Sequence, residues 1–268
     1  MIQIILGLII VAMGVFIFYK YPFKADIKQL TIGALLIVVA VVLNRISFMV
    51  PFLGFPSLEI SLESIPLMLA GLVLAPTYGF MVGVIADGIG VLITGASGFP
   101  FLGFTINSIL YVLIPCFSKM YIEGRNPNTI NKVLKVVMCL LVVVASVYVL
   151  QIDTVTISKE VINVSFIQKV CIIALMVIVV TVLFITMFYI GGNLNEIQMG
   201  NFNIIVISVL LMELVVNFVL TPIWLQSMYS IPFWASFFVR VLRACVMIPV
   251  KIAIAYPLYN AIYQRASN

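Results

Sequence analysis

Charge is almost absent from the interior of nine long apolar runs, and that spacing decides what the chain can fold into. The runs occupy roughly 2–19, 30–49, 60–75, 78–96, 103–121, 133–151, 166–190, 203–224 and 233–261. A helix crossing the hydrocarbon core of a bilayer needs about 20 apolar residues, and most of the runs reach that length. The breaks between them carry charge or turn chemistry, as in "KYPFKADIK", "PFLGFPSLE", "GASGFP" and "IEGRNPNTINK". Hydrophobic residues make up 64% of the chain and charged residues 9%. A soluble domain has no way to cover that much apolar surface, so the solvent for these helices is lipid. The pattern predicts an all-α polytopic membrane protein. The short run at 60–75 pairs with the next in a hairpin turning at Ala75-Pro76-Thr77, and the last run is long enough to imply tilt.

The net charge of +5 belongs to topology rather than to nucleic acid. Lys20, Lys24 and Lys28 lie in one loop; Lys119, Arg125, Lys132 and Lys135 lie in or beside another. Loops near 96–102 and 225–232 on the opposite side contain neither Lys nor Arg. Short basic loops stay in the cytoplasm, which predicts a cytoplasmic C-terminus and an external N-terminus. The first run has no basic residue ahead of it and no small-residue cleavage site, so it reads as a retained helix rather than a signal peptide. The four cysteines (116, 139, 171 and 245) are scattered through apolar sequence and read as small buried hydrophobes.

Five charges lie well inside the apolar runs: Arg45, Asp87, Glu213, Arg240 and Arg243. A charge in that position is costly and is retained for a reason. At about 1.5 Å per residue, Arg45 and Arg240 fall in the outer third of the membrane, while Asp87, Glu213 and Arg243 fall near its midplane. Asp87, Glu213 and Arg243 are expected to form a structural ion network that fixes helix register. Arg45 has two readings, snorkelling to outer headgroups or meeting a ligand. Arg240 is too deep to snorkel, which favours pairing with a ligand or a carboxylate. Lys169 and Lys251 are expected near the interfaces.

The span "YGFMVGVIADGIGVLITGASG" presents Gly79, Gly83, Ala86, Gly88 and Gly90, a nearly bare surface suited to close helix approach or to a ligand beside Asp87. The segments "SFMVPFLGFPSLEIS" and "GASGFPFLGFTINS" are rich in Phe, with Pro, Gly and hydroxyl residues among them. Interfacial belts use Trp and Tyr more than Phe, so these aromatic faces suit a flat heteroaromatic ligand. No His is present, and neither an H-E-x-x-H, a G-x-S-x-G nor a phosphate-binding G-x-x-x-x-G-K-[ST] pattern occurs. An intramembrane enzyme therefore has little to be built from, and no metal site or resident cofactor is expected.

"SLEISLESIPLMLAGLVLAPTYGFMVGVIADGIGVLITGASGFPFLGFTINSILYVLIP" resembles the core of the substrate-binding S components of energy-coupling-factor (ECF) vitamin transporters, most closely the folate-type family. The resemblance rests on Ile60-Ser61, Ile65-Pro66, Leu69-Ala70-Gly71, Pro76, Gly79, Val82-Gly83, Ala86-Asp87 and Gly103-Phe104-Thr105. A second block at 221–252 is similar to the family's ending through Trp224-Leu225, Tyr229, Pro232-Phe233, Arg240 and Pro249. It implies a six-helix core at 30–121 and 203–268, with an extra helix at 1–29 and an inserted pair at 122–202. It also implies capture of a vitamin, folate-like favoured, from outside, with a transmembrane coupling subunit and ATPase subunits as partners and ATP split by those partners alone.

The substrate-binding residues expected on this basis are Arg45, Phe48, Phe55, Ser57, Phe99, Phe101, Phe104, Asn107, Trp224, Tyr229 and Arg240. Gly33, Ala34 and Ile37 are expected to dock the coupling subunit. The family's A-x-x-x-A docking pattern is degraded here, with Val38 following Ala34 at the fourth position. That departure and the three added helices leave open a second reading, a non-transporting scaffold or regulator on the same fold.

Overall fold

The computed structural model describes residues 2–267 apart from 53–54, 95–100, 152–153, 158–159, 164–165, 194, 230 and 232. Helices occupy the apolar runs, since in lipid each backbone N–H and C=O has to be satisfied within its own segment. In chain order they are α1 (Ile2–Lys20), α2 (Ile27–Arg45), α3 (Ser64–Val73), α4 (Pro76–Thr94), α5 (Leu102–Ile122), α6 (Pro127–Gln151), α7 (Phe166–Asn193), α8 (Glu196–Met212), α9 (Thr221–Tyr229) and α10 (Phe233–Ser267). A π-helical stretch, Glu213–Leu220, joins α8 to α9 in one continuous rod. Among the described residues, six helical segments are long and apolar enough to cross a membrane. This is a multi-pass, helical membrane architecture.

Two connections hold short hairpins instead of irregular loop. Strand β1 (Phe48–Phe52) pairs antiparallel with β2 (Phe55–Ile60), and β3 (Thr154–Ile157) with β4 (Glu160–Asn163). The register of the first shifts between Val50 and Phe52. Pro51 lies at that shift, where the missing N–H of proline removes no ladder bond.

Helix α5 is central. Gly71 of α3 and Gly83 of α4 bring those helices onto its backbone: a Cβ at Gly71 would lie 1.9 Å from the Val112 carbonyl oxygen, and one at Gly83 would lie 2.7 Å from Ile109 Cα. Gly79 adds a contact with Val112. These glycines serve tight packing within one chain, whereas Gly88 and Gly90 face open space. Helix α1 lies along α4 and α5, with Gly14 over Phe80 and Ile17 packed on Ile109 and Leu113. On the other side a larger core joins Met68, Leu72, Ile205, Met212, Ile248 and Ala255 across α3, α8 and α10. Helices α6 and α7 pack together, α6 against α8 and α7 against α10.

Side-chain bonds order the two ends of the bundle. Gln3 Oε1 accepts from the Leu102 N–H at 3.1 Å, so the starts of α1 and α5 share one end. Lys119 Nζ stands 6.0 Å from the Tyr259 ring, so α5 and α10 finish together at the other. Near that second end, Tyr78 donates to Lys24 O at 2.6 Å and accepts from the Asp26 N–H at 2.8 Å. Asp26 caps α2, and its bonds from the Gln29 side chain and the Lys28 N–H hold its carboxyl below the usual carboxylate range.

Two of the residues expected to dock a partner are used inside the fold. Gly33 is buried against Val82 and Leu74, and Ile37 is buried in the same cluster. The face of α2 that points away from the bundle carries Thr31, Ala34, Leu35, Val38 and Val42, all exposed. Of the expected trio, Ala34 alone lies on that face.

Candidate functional site

The rod formed by α8, the π-helical stretch and α9 changes register just ahead of Pro222. A proline inside a helix lacks the N–H that would bond four residues back, and its ring crowds that carbonyl. Here the Thr221 N–H reaches back five residues to Val216 O, and Thr221 Oγ1 donates to the same oxygen at 2.7 Å. Such π-helical turns gather at functional sites because the wider register re-aims side chains. Glu213, Asn217 and Thr221 follow one another at four-residue spacing through this stretch and, with Trp224, face polar groups of α5 and α10.

The result is a polar column in an otherwise apolar bundle. Trp224 Nε1 donates to Asn107 Oδ1 at 3.0 Å, and Asn107 Nδ2 donates to Thr221 Oγ1 at 3.1 Å. One turn further along α5, the Tyr111 hydroxyl donates to Asn217 Oδ1 at 3.0 Å. The same oxygen accepts from Arg243 Nη1, also at 3.0 Å. Asn217 Nδ2 donates to Glu213 Oε2 at 2.9 Å, and Lys251 Nζ donates to Glu213 Oε1 at 2.6 Å. From Trp224 to Glu213 the column runs roughly 15 Å at ordinary helical rise. Phe101 caps it, its ring centroid 5.9 Å from Trp224 and 5.8 Å from Phe104.

The ion network keeps one expected pairing, the charge of Arg243 acting on Glu213, and differs in its other members. Glu213 pairs with Lys251, which is fully buried (0% exposed) rather than interfacial. Lys251 lies ten residues inside the 233–261 run and turns toward the π-helical stretch, where Glu213 meets it. Lys169 is buried too and donates to Leu150 O at 3.1 Å. Asp87 stands apart from Glu213 and Arg243: it accepts from Thr105 Oγ1 at 2.6 Å, a bond between α4 and α5. Arg243 meets a neutral amide oxygen instead of a carboxylate, and its buried Nε has no hydrogen-bond partner among the described residues.

Of the expected ligand-binding residues, Phe101, Phe104, Asn107 and Trp224 come together at one end of the column. Arg240 is buried one turn from Arg243, with its Nε 3.4 Å from Ser236 Oγ. Both arginines act electrostatically on the Tyr111 hydroxyl, as do Glu213 and Glu63. Glu63 also accepts from Asn44 Nδ2. Arg45 is exposed and donates to Gly90 O of α4 at 2.8 Å, and Tyr229 is exposed as well. Phe99 lies outside the described residues, as do the side chains of Phe48, Phe55 and Ser57. Sequence reasoning passed over Tyr111, Asn217 and Thr221, and set Lys251 near an interface. Their signal was polar spacing: Asn107 with Tyr111 and Glu213 with Asn217 and Thr221 each recur every four residues, the spacing of one helix face.

Chemically, this arrangement supplies groups suited to hydrogen-bonding a polar molecule. It offers a guanidinium edge, amide groups and an indole N–H beneath aromatic rings, in the mostly apolar setting usual for small-molecule sites. Among the described residues no cluster of three or more His, Cys, Asp or Glu is placed to hold a metal.

The fold is shared with a known solved structure. That structure is described as the crystal structure of FolT bound with folic acid; the match has a TM-score of 0.50 and 19% identity, covering 89% of this chain and 98% of that one. No protein-family profile matches the chain, and no curated protein matches it by sequence. At that identity the likeness establishes the shared fold.

Proposed function

We propose that this protein is a membrane-embedded S component of an ECF-type importer, which binds a vitamin within the bilayer and delivers it with partner subunits. The observation that carries this reading is the polar column at Asn107, Asn217, Trp224 and Arg243, built into a fold shared with FolT bound with folic acid. An anionic, heteroaromatic ligand suits the Phe101–Phe104–Trp224 rings and the arginines of α10, so a folate-like vitamin is the favoured substrate. Binding by the isolated chain requires no ATP; hydrolysis falls to ATPase subunits reached through a transmembrane coupling subunit. The cell membrane is the site of action, with the shared end of α5 and α10 facing the cytoplasm, where the Lys119 and Arg125 loop belongs.

Native mass spectrometry of the detergent-purified chain tests the ligand class directly. A co-purifying pterin-containing or other vitamin carboxylate is the expected result, with folic acid binding followed by tryptophan fluorescence. A chain that carries a cationic metabolite and ignores folic acid contradicts the folate reading. Co-expression with a coupling subunit and its ATPases then tests transport: vitamin accumulation is expected only when all are present.

The degraded docking face gives the alternative, a scaffold or regulator, one specific observation of its own. Val38 and Ala34 both point outward from α2, so the bulkier residue stands on the surface where a smaller one would allow closer helix approach. Ligand binding without any co-purifying coupling subunit favours that second reading.

A further inference from the structure

The charge arrangement of the column narrows the ligand further, resting on the reading of this site as a vitamin-binding site. Glu213 has its counterion in Lys251 at 2.6 Å. Asn217 is held from three sides: its amide donates to Glu213, and its oxygen accepts from Tyr111 and Arg243. Through that oxygen it grips Arg243 by Nη1 alone. A guanidinium has a second edge, formed by Nε–H and Nη2–H, which is the fork that binds a carboxylate through two parallel hydrogen bonds. On Arg243 the Nε of that fork is buried and without a hydrogen-bond partner among the described residues. The residue as a whole keeps part of its surface accessible. A buried charged donor left unmade is costly, and native structures rarely retain one without a use.

We infer that Arg243 is the anion-reading residue of the site, taking one carboxylate of the ligand side-on through Nε and Nη2. Asn217 acts as the positioning residue that fixes the guanidinium plane from the opposite edge. The π-helical stretch has a role in this, since it carries Glu213 and Asn217 toward α10 together. Arg243 therefore has an edge left for the ligand even though its charge also acts on Glu213 through space, and the ligand class is a carboxylate attached to an aromatic body.

The test uses the full chain in nanodiscs and two pairs of probes, with tryptophan fluorescence as the readout. Benzoate against benzamide isolates carboxylate recognition from any particular vitamin, and folic acid against its bis-amide tests the same contact in the favoured ligand. The wild type is expected to prefer each acid over its amide by roughly tenfold to a hundredfold. Arg243→Met is expected to erase that preference. Should Arg243→Met fail to fold, Arg243→Lys decides: it keeps the charge but loses the fork, so the preference falls severalfold in a protein of unchanged thermal stability. An acid preference that is absent in the wild type, or undiminished in Arg243→Lys, overturns the inference. A wild type that prefers benzoate through Arg243 yet does not bind folic acid supports the inference and overturns the folate reading. Folic acid binding that matches its bis-amide does the reverse.

Discussion

Helix α5 holds its neighbours by a different balance of means on its two sides, with Thr105–Asp87 and Lys119–Leu72 O the directed bonds to α4 and α3. Toward α3 and α4 it presents bare backbone: Val112 O and Ile109 Cα lie against Gly71 and Gly83 with no room for a methyl group. Toward the π-helical stretch, α9 and α10 it presents Asn107 and Tyr111, which reach side chains through directed bonds near 3.0 Å. Contact by backbone proximity is driven by packing in lipid and has no exchangeable partner. A hydrogen bond can be handed from a protein group to a ligand group. The first side is suited to be a fixed wall and the second to be a site, so substitutions should fail differently on the two.

The largest effect is expected on the wall. Gly71→Leu forces a side chain into Val112 O, where even a Cβ would lie 1.9 Å away. Helices α3 and α5 would have to separate, and overpacking of that severity goes beyond the usual cost of about 1–3 kcal/mol. Size-exclusion chromatography of detergent extracts should recover no monodisperse protein. Normal recovery would mean that α3 is not packed on α5 as closely as its glycine implies.

Next comes the deepest charge on the polar side. Lys251→Met leaves Glu213 buried without its cation, and breaking a buried pair in this way costs about 3–5 kcal/mol. Adding Glu213→Gln should restore most of that stability, since a neutral amide keeps its bond to Asn217 without needing a counterion. Thermal unfolding in detergent measures both variants. Equal stability of the single and double variants would show that Glu213 is not charged against Lys251.

These two residues also show where sequence reading succeeds and stops. Gly79 and Gly83 were legible because small residues at regular spacing in an apolar helix favour close approach, whereas Gly71 entered only through the resemblance. Of the nine runs, six were legible as membrane-length helices among the described residues because lipid imposes a length on every crossing helix, while the run at 60–75 holds only the short helix Ser64–Val73. Lys251 was misplaced because the rise per residue was not applied to it: it lies ten residues inside the 233–261 run, a depth like that of Glu213. The partner of Glu213 was missed for the same reason. The π-helical register depends on Pro222 meeting a polar face that Thr221 can cap, a tertiary circumstance. The β3–β4 hairpin did carry a local signal in its β-branched "TVTI" and "EVIN", but apolar bundle helices on either side dominated the reading.

A smaller effect is expected where the column meets its aromatic cap. Asn107→Ala removes a bond to Trp224 and one to Thr221, leaving the indole N–H without that acceptor. Losing a buried partner costs about 1–3 kcal/mol. If ligand groups share this hub, affinity for folic acid should fall by a similar factor, read by calorimetry alongside stability. A loss of stability with unchanged affinity would assign Asn107 to the scaffold and restrict the site to α10.

The smallest effect separates α2's inner face from its outer one. Gly33 and Ala34 are adjacent in sequence, yet a Cβ at Gly33 would lie 3.1 Å from Val82 while Ala34 is exposed. Ala34→Leu should therefore change stability by no more than about 0.5 kcal/mol, the usual range for an exposed position away from special features. In a helix that meets only lipid, the change would be silent in every assay. If a coupling subunit docks there, the added bulk keeps the helices apart, so vitamin accumulation falls while ligand affinity in detergent stays within a few-fold. Gly33→Leu is the internal comparison, because its loss of uptake should come with a loss of stability. Unchanged accumulation in Ala34→Leu, in a strain where the wild type transports, would move the docking surface off α2 altogether.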